Sequence, residues 1–164
     1  MTTYTVSVKR EILEAQKDFD SVVDRIFKAI GRTDRSTLAS ILSETDFVRF
    51  SERIQSATGP SGLMEFATYD LGDAVGKDGG ADAYRIIRIV AGNPLIMRQM
   101  VASVPHAGSY APITILVYEE GEKVMLAYDR MESYLQPFAS EQAMEVARSL
   151  DNKVLALLAD AASA

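Results

Sequence analysis

From Thr3 to Val8 the chain alternates, with Tyr4, Val6 and Val8 on one side and Thr3, Thr5 and Ser7 on the other. Period-2 alternation is the pattern of a half-buried strand, so a first strand is predicted there. The spacing then changes. Phe19, Val22, Val23, Ile26, Phe27 and Ile30 recur three and four apart, which lines them along one helical face, and Gly31 supplies a stop. Between Ser36 and Ile54 the positions Leu38, Ile41, Leu42, Phe47, Phe50 and Ile54 keep helical spacing across a polar interruption, predicting one or two short helices. Thr58-Gly59-Pro60-Ser61-Gly62 breaks either kind of element.

Beyond the breaker, strands are predicted over Leu63–Tyr69 and Tyr84–Val90, with a glycine- and aspartate-rich loop from Asp70 to Asp82 between them. Asn93 followed by Pro94 combines a side-chain cap with a proline at the first helical position, where its missing N–H is no loss, and predicts a helix from Pro94 to about Ser103. After a loop over Pro105–Pro112, Ile113–Tyr118 and Lys123–Tyr128 read as a hairpin joined by Glu119-Glu120-Gly121-Glu122. A last helix begins at Ser140 and buries Met144, Ala147, Leu150, Val154, Leu155, Leu158 and Ala161. This order predicts an α+β fold of two layers, an antiparallel or mixed sheet of about five strands with helices packed on one face.

Composition narrows the function. The 164 residues are 48% hydrophobic and 24% charged, which suits one domain over 1–164 that buries roughly 70% of its unfolded surface. With no cysteine, thiolate nucleophiles, disulfides and cysteine-based metal sites are excluded, and a single histidine excludes histidine-rich ones. Nothing in the sequence implies a cofactor. A net charge of −6 opposes a phosphate backbone, so nucleic acid is not expected as a partner. No apolar run approaches the ~18 residues of a membrane span, and no basic segment leads an apolar one, so no membrane partner and a cytoplasmic location are expected.

Three runs carry a resemblance: Ile89-Val90-Ala91-Gly92-Asn93-Pro94 followed by Met97 and Met100; Ala111-Pro112-Ile113-Thr114-Ile115-Leu116-Val117-Tyr118; and Val124-Met125-Leu126-Ala127-Tyr128-Asp129. In this order they resemble the domain of unknown function 302 (DUF302) family, over roughly Tyr84 to Ala159. The resemblance implies a compact α+β domain, often self-associated, and no established activity. The chain departs from the family pattern at residues 32–62, which look like a helical insertion, and at Leu135-Gln136-Pro137-Phe138, where relatives carry a basic, histidine-containing stretch.

Several residues invite a chemical reading beside a structural one. Arg85 and Arg88 fall on opposite faces of an apolar strand, so at least one must reach an edge, pair with a carboxylate such as Glu65, or line a cavity where it contacts a ligand carboxylate or phosphate. Gly92-Asn93-Pro94 is a helix cap, or an anion site helped by Arg98 one turn on. His106, near Ser109, is a solvated loop residue or a general base. Asp70, Asp73, Asp78 and Asp82 form a solvated loop or a cation loop, although their spacing matches no EF-hand.

The hairpin is apolar on both faces, with Ile113, Ile115 and Val117 against Leu116 and Tyr118, and Val124, Leu126 and Tyr128 against Met125 and Ala127. Its second face needs cover from another copy, from residues 36–54 or from an apolar ligand. The expectation is a non-catalytic binding or self-association domain, a homodimer through its sheet, with a pocket for a small apolar or anionic ligand near Arg88, Asn93, Arg98, Tyr118 and Tyr128 and with no metal. The alternatives are an enzyme with minimal polar machinery, using His106 as base and Arg85 or Arg88 as anchor, and a carrier of hydrophobic molecules lined by Met64, Phe66, Met97, Met100 and Met125.

Overall fold

The computed structural model describes residues 1–75 and 84–164. Its strands are β1 (Arg10–Glu14), β2 (Met64–Asp70), β3 (Ile86–Gly92), β4 (Ile113–Glu120) and β5 (Lys123–Asp129). They form one sheet in the order β1-β5-β4-β3-β2, and every neighbouring pair is antiparallel. The helices are α1 (Phe19–Ala29), α2 (Arg35–Leu42), α3 (Phe47–Ala57), α4 (Gly72–Val75), α5 (Pro94–Ser103), α6 (Met131–Leu135) and α7 (Glu141–Ala162). The two-layer α+β expectation holds, with the sheet wholly antiparallel.

Local chemistry starts most helices where the sequence places them. Asp18, Asp34, Asp46, Asn93 and Ser140 each accept a hydrogen bond from an N–H of the first turn they precede. Gly31 acts otherwise than as a left-handed stop. α1 ends with Ile30 extended, and Gly31 forms a parallel bridge to Met64. A Cβ on Gly31 would lie 1.8 Å from the Ala57 carbonyl oxygen, so this glycine lets two chain segments approach.

One sheet face carries the main core. Ile89 and Ala91 of β3, Ile113, Ile115 and Val117 of β4, and Val124, Leu126 and Tyr128 of β5 are buried with α1, α5, α6 and α7 residues such as Ile26, Met100, Leu135, Val154 and Leu158. Each fully buried side chain of this size contributes about 1.5–3 kcal/mol. A second, smaller core joins Ile41 of α2, Ile54 of α3 and Met64 of β2, with Phe66 and Leu95 against them. No hairpin residue belongs to it, so residues 36–54 do not cover the hairpin's second face; α2 and α3 pack at the β2 end of the sheet.

The first strand is displaced from its predicted position. Residues 1–9 have no regular structure, and β1 is Arg10–Glu14. Alternation specifies a strand only where an edge is open to pair with. The β5 edge is taken by residues 10–14, where Leu13 reaches the main core and Ala15 N–H donates to the Val124 carbonyl at 2.8 Å. The hairpin turn is also tighter than predicted, closing at Gly121 with φ +63°. α6 was not anticipated, because its five residues are too few to show periodicity.

Candidate functional site

Pairing across the sheet arranges the face opposite the main core in rows. One row runs Ile12, Ala127, Leu116, Arg88, Tyr69; another runs Glu14, Met125, Tyr118, Ile86. Ile12 is 53% exposed and Tyr69 50%, while Leu116, Met125 and Tyr118 are half-buried. Arg10 and Lys123, at the rim of this face, are paired with Asp129 and Glu14, and Arg88 stands among its apolar residues.

Arg88 and Arg85 do point to opposite sides, with different outcomes. Arg85 pairs with Asp20 at the start of α1 and lies over the Phe19 ring, 4.1 Å from its centroid. Glu65 is not its partner; that carboxylate binds Arg32 at 2.7 Å and accepts from Thr68. Arg88 is exposed, and its Nη2 donates to Thr114 Oγ1 at 3.3 Å. Among the described residues it has no carboxylate within ion-pair distance.

Beside Arg88 lies a cleft of about 320 Å³, lined by Arg88, Ser109, Tyr110, Pro112, Ile113, Thr114, Asp129 and Tyr134. It forms where β4 begins, β5 ends, and the 3₁₀ turn Pro105–Ser109 meets α6. Tyr110 and Tyr134 stack with centroids 4.5 Å apart. Asp129 is held by Arg10 through bonds of 2.7 and 2.8 Å and accepts from the Tyr134 hydroxyl at 3.1 Å. Hydrogen bonding to Arg10 keeps the Asp129 carboxyl below the usual range, against partial desolvation; burial, with Asp129 beside it, pushes the Tyr134 hydroxyl up. The Asp129 charge is thus neutralised within the protein, and the cleft keeps the positive charge of Arg88 with the hydroxyls of Ser109, Tyr110 and Thr114.

The residues singled out in the sequence fall in separate places. Asn93 caps α5, its Oδ1 accepting from Leu95 N–H at 2.8 Å and its Nδ2 donating to the Gly62 carbonyl at 2.9 Å. Arg98 lies over the Phe47 ring of α3, 4.6 Å from its centroid. Tyr118 shares the open face with Arg88 but does not line the cleft. Tyr128 faces the main core and is buried, donating to Asp151 at 2.6 Å. His106 stacks on Phe138 at 4.5 Å and tilts against Tyr4, so its ring partners are neither Arg85 nor Arg88. Asp78 and Asp82 of the predicted cation loop lie outside the described residues.

Asp151 escaped the sequence reading altogether. This fully buried carboxylate on α7 accepts from the Tyr128 hydroxyl, from Met131 N–H at 2.7 Å and from Glu132 N–H at 3.1 Å, with Arg130 Nε 3.7 Å away. It thereby caps α6 from across the core. Burial pushes its carboxyl up, while the hydrogen bonds and Arg130 pull it down; burial likewise pushes the Tyr128 hydroxyl up. The signal was available: an aspartate between Leu150 and Val154, on the buried stripe of an amphipathic helix, requires a partner.

A second cavity, of about 170 Å³, lies on the other side of Pro112 and Ile113, against Asn93, Pro94 and Met97 at the start of α5. The Met64 and Met125 of the predicted carrier lining are not part of it.

A five-stranded antiparallel sheet with helices on one face, an open second face and a cleft at the ends of its middle strands defines an α+β domain of two layers. Residues 39–161 match the family model for the domain of unknown function DUF302, and the chain belongs to that family. The match takes in residues 39–62, much of the segment set apart above as an insertion. The fold is similar to that of a crystal structure of an uncharacterized conserved protein DUF302 from Bacillus stearothermophilus, with TM-score 0.65 over 93% of this chain and 97% of that one at 10% sequence identity. No curated protein matches the sequence. No helix among the described residues is long and apolar enough to cross a membrane.

Proposed function

We propose that the chain is a non-catalytic binding domain that holds the carboxylate or phosphate group of a small ligand at Arg88. One observation carries this reading: Arg88 keeps donors to spare in a hydroxyl-lined cleft whose only carboxylate among the described residues, Asp129, is already neutralised by Arg10. A guanidinium with N–H groups to spare can bind such an anion bidentately, and the cleft volume of about 320 Å³ lies within the ~300–1,000 Å³ range of small-molecule sites. The separation of His106 from both arginines' partners weighs against the alternative of a base working with an arginine anchor. The test is titration with inorganic phosphate and with acetate, followed by amide shifts of Arg88 and Thr114. Saturable shifts that disappear in Arg88→Ala support the reading; shifts absent up to tens of millimolar, or unchanged in the variant, overturn it.

A specific observation also favours self-association. The rows through Ile12, Leu116 and Met125 form an apolar surface that none of the main-core helices covers, and an isologous pairing of two sheets would bury it. Light scattering across a dilution series should give a dimer that dissociates on dilution, and Leu116→Glu should shift it to monomer. A monomer at all micromolar concentrations removes this reading and leaves the anion site standing.

A further inference from the structure

The second cavity differs in kind from the Arg88 cleft. Gly92, Pro94, Met100, Ile113 and Leu150 form its buried floor, and Leu42 of α2 stands at the rim, 49% exposed. It sits where the two hydrophobic cores meet, with Met100, Ile113 and Leu150 from the larger and Phe66 packed against the smaller. Gly92 keeps the space open: a Cβ there would come within 3.2 Å of Pro112 and 3.6 Å of the Phe66 ring.

Among the described residues the only polar side chain in the lining, Asn93, has its oxygen and its nitrogen committed to Leu95 and Gly62. The pocket opens to solvent past Leu42 and Pro112, and water in its depth would find almost nothing to bond to. An enclosed apolar cavity of about 150 Å³ in another protein accepts benzene, which sets the scale of guest for the 170 Å³ pocket here. The methionine on the wall, Met97, is half-buried and its unbranched thioether can shift to fit a guest.

We infer that this cavity is a binding site for one small, uncharged, apolar molecule of benzene size, whether a free monocycle or the end of a short acyl chain. The volume excludes a long chain, and the lack of a free polar group in the lining excludes a charged headgroup inside. The inference does not depend on the Arg88 site, because the two cavities share only the Pro112–Ile113 wall.

Titration with benzene into protein labelled at methionine and isoleucine methyls tests it. Saturable shifts at Met97, Met100 and Ile113, with a rise in Tm, are the expected result, and benzoate should bind at least about tenfold more weakly, since its charge would be buried unpaired. Met97→Trp fills the space and should abolish the shifts; Ile96→Phe serves the same purpose if the first variant fails to fold. Arg88→Ala should leave benzene binding unchanged. Linear, unsaturable shifts, benzoate binding as tight as benzene, or saturable shifts that persist in a folded filled variant would each overturn the inference.

Discussion

Asp151 and Arg88 are both single charges set against an apolar sheet, and they have opposite situations. Asp151 is enclosed on the helix side and accepts from three donors in the stretch from Tyr128 to Glu132. Arg88 stands on the open side with one weak hydroxyl partner at 3.3 Å. A buried charge whose partners are complete is part of the framework, since removing it orphans every group that faces it. An exposed charge with spare donors holds nothing in place, so it is free to engage a ligand. The contrast separates a structural polar group from a candidate functional one on geometry alone.

The largest effect should come from Asp151→Ala, which leaves the Tyr128 hydroxyl and two N–H groups of α6 without an acceptor and should cost about 3–5 kcal/mol in urea unfolding. A loss below about 1 kcal/mol would place Asp151 with the dispensable charges and break the comparison. Tyr128→Phe removes one donor and leaves the others, so its expected cost is smaller, about 1–2 kcal/mol by the same measurement.

Acid titration sharpens the contrast between Asp151 and the surface pair. Asp129, held below the ordinary carboxylate range by Arg10, binds protons less readily in the folded than in the unfolded chain. Its contribution is therefore present above the unfolded value and lost as pH falls toward the folded one. Asp151, raised by burial, binds protons more readily when folded, so its contribution declines as pH rises through the window above the ordinary range. Between pH 3 and 6 the stability gap between wild type and Arg10→Ala should widen, reaching less than about 1 kcal/mol because Arg10 is largely exposed. The gap between wild type and Asp151→Asn should narrow as pH rises through Asp151's window. Gaps that move together would show that one of these two environments is misassigned.

The smallest effect on stability is expected at the cleft. Arg88→Ala should change the unfolding free energy by no more than about 0.5 kcal/mol while removing phosphate binding. A loss of several kcal/mol would make Arg88 a framework residue like Asp151.

The same division explains how much the sequence disclosed. Helices α1, α5 and α7, the caps Asn93 and Ser140 and the β4–β5 hairpin follow from signals lying within one element, and all were legible. β1 was misplaced because alternation at residues 3–8 says nothing about which stretch finds the free β5 edge. The cleft was legible only through Arg88. Its other walls, Tyr110 and Tyr134 among them, come from the loop before β4 and from α6, and no local pattern announces that two such segments converge. The five candidate ligand residues divided for the same reason: strand parity placed Tyr118 with Arg88 and Tyr128 away from it, while Asn93 and Arg98 answered to neighbours around α5.

The position of β1 has a consequence for synthesis. Arg10 is made 119 residues before its partner Asp129, so at about 5–20 residues per second the strand waits roughly 6 to 24 seconds for the other side of its ladder. During that interval its backbone N–H and C=O groups lack the β5 partner they have in the folded chain, and unpaired strands are the kind that join other chains. Three of its five residues, Arg10, Glu11 and Glu14, are charged, and on the finished protein they pair with Asp129, Arg130 and Lys123. On the nascent chain, before those partners exist, the same charges keep the segment hydrated and discourage pairing between neighbours on one messenger.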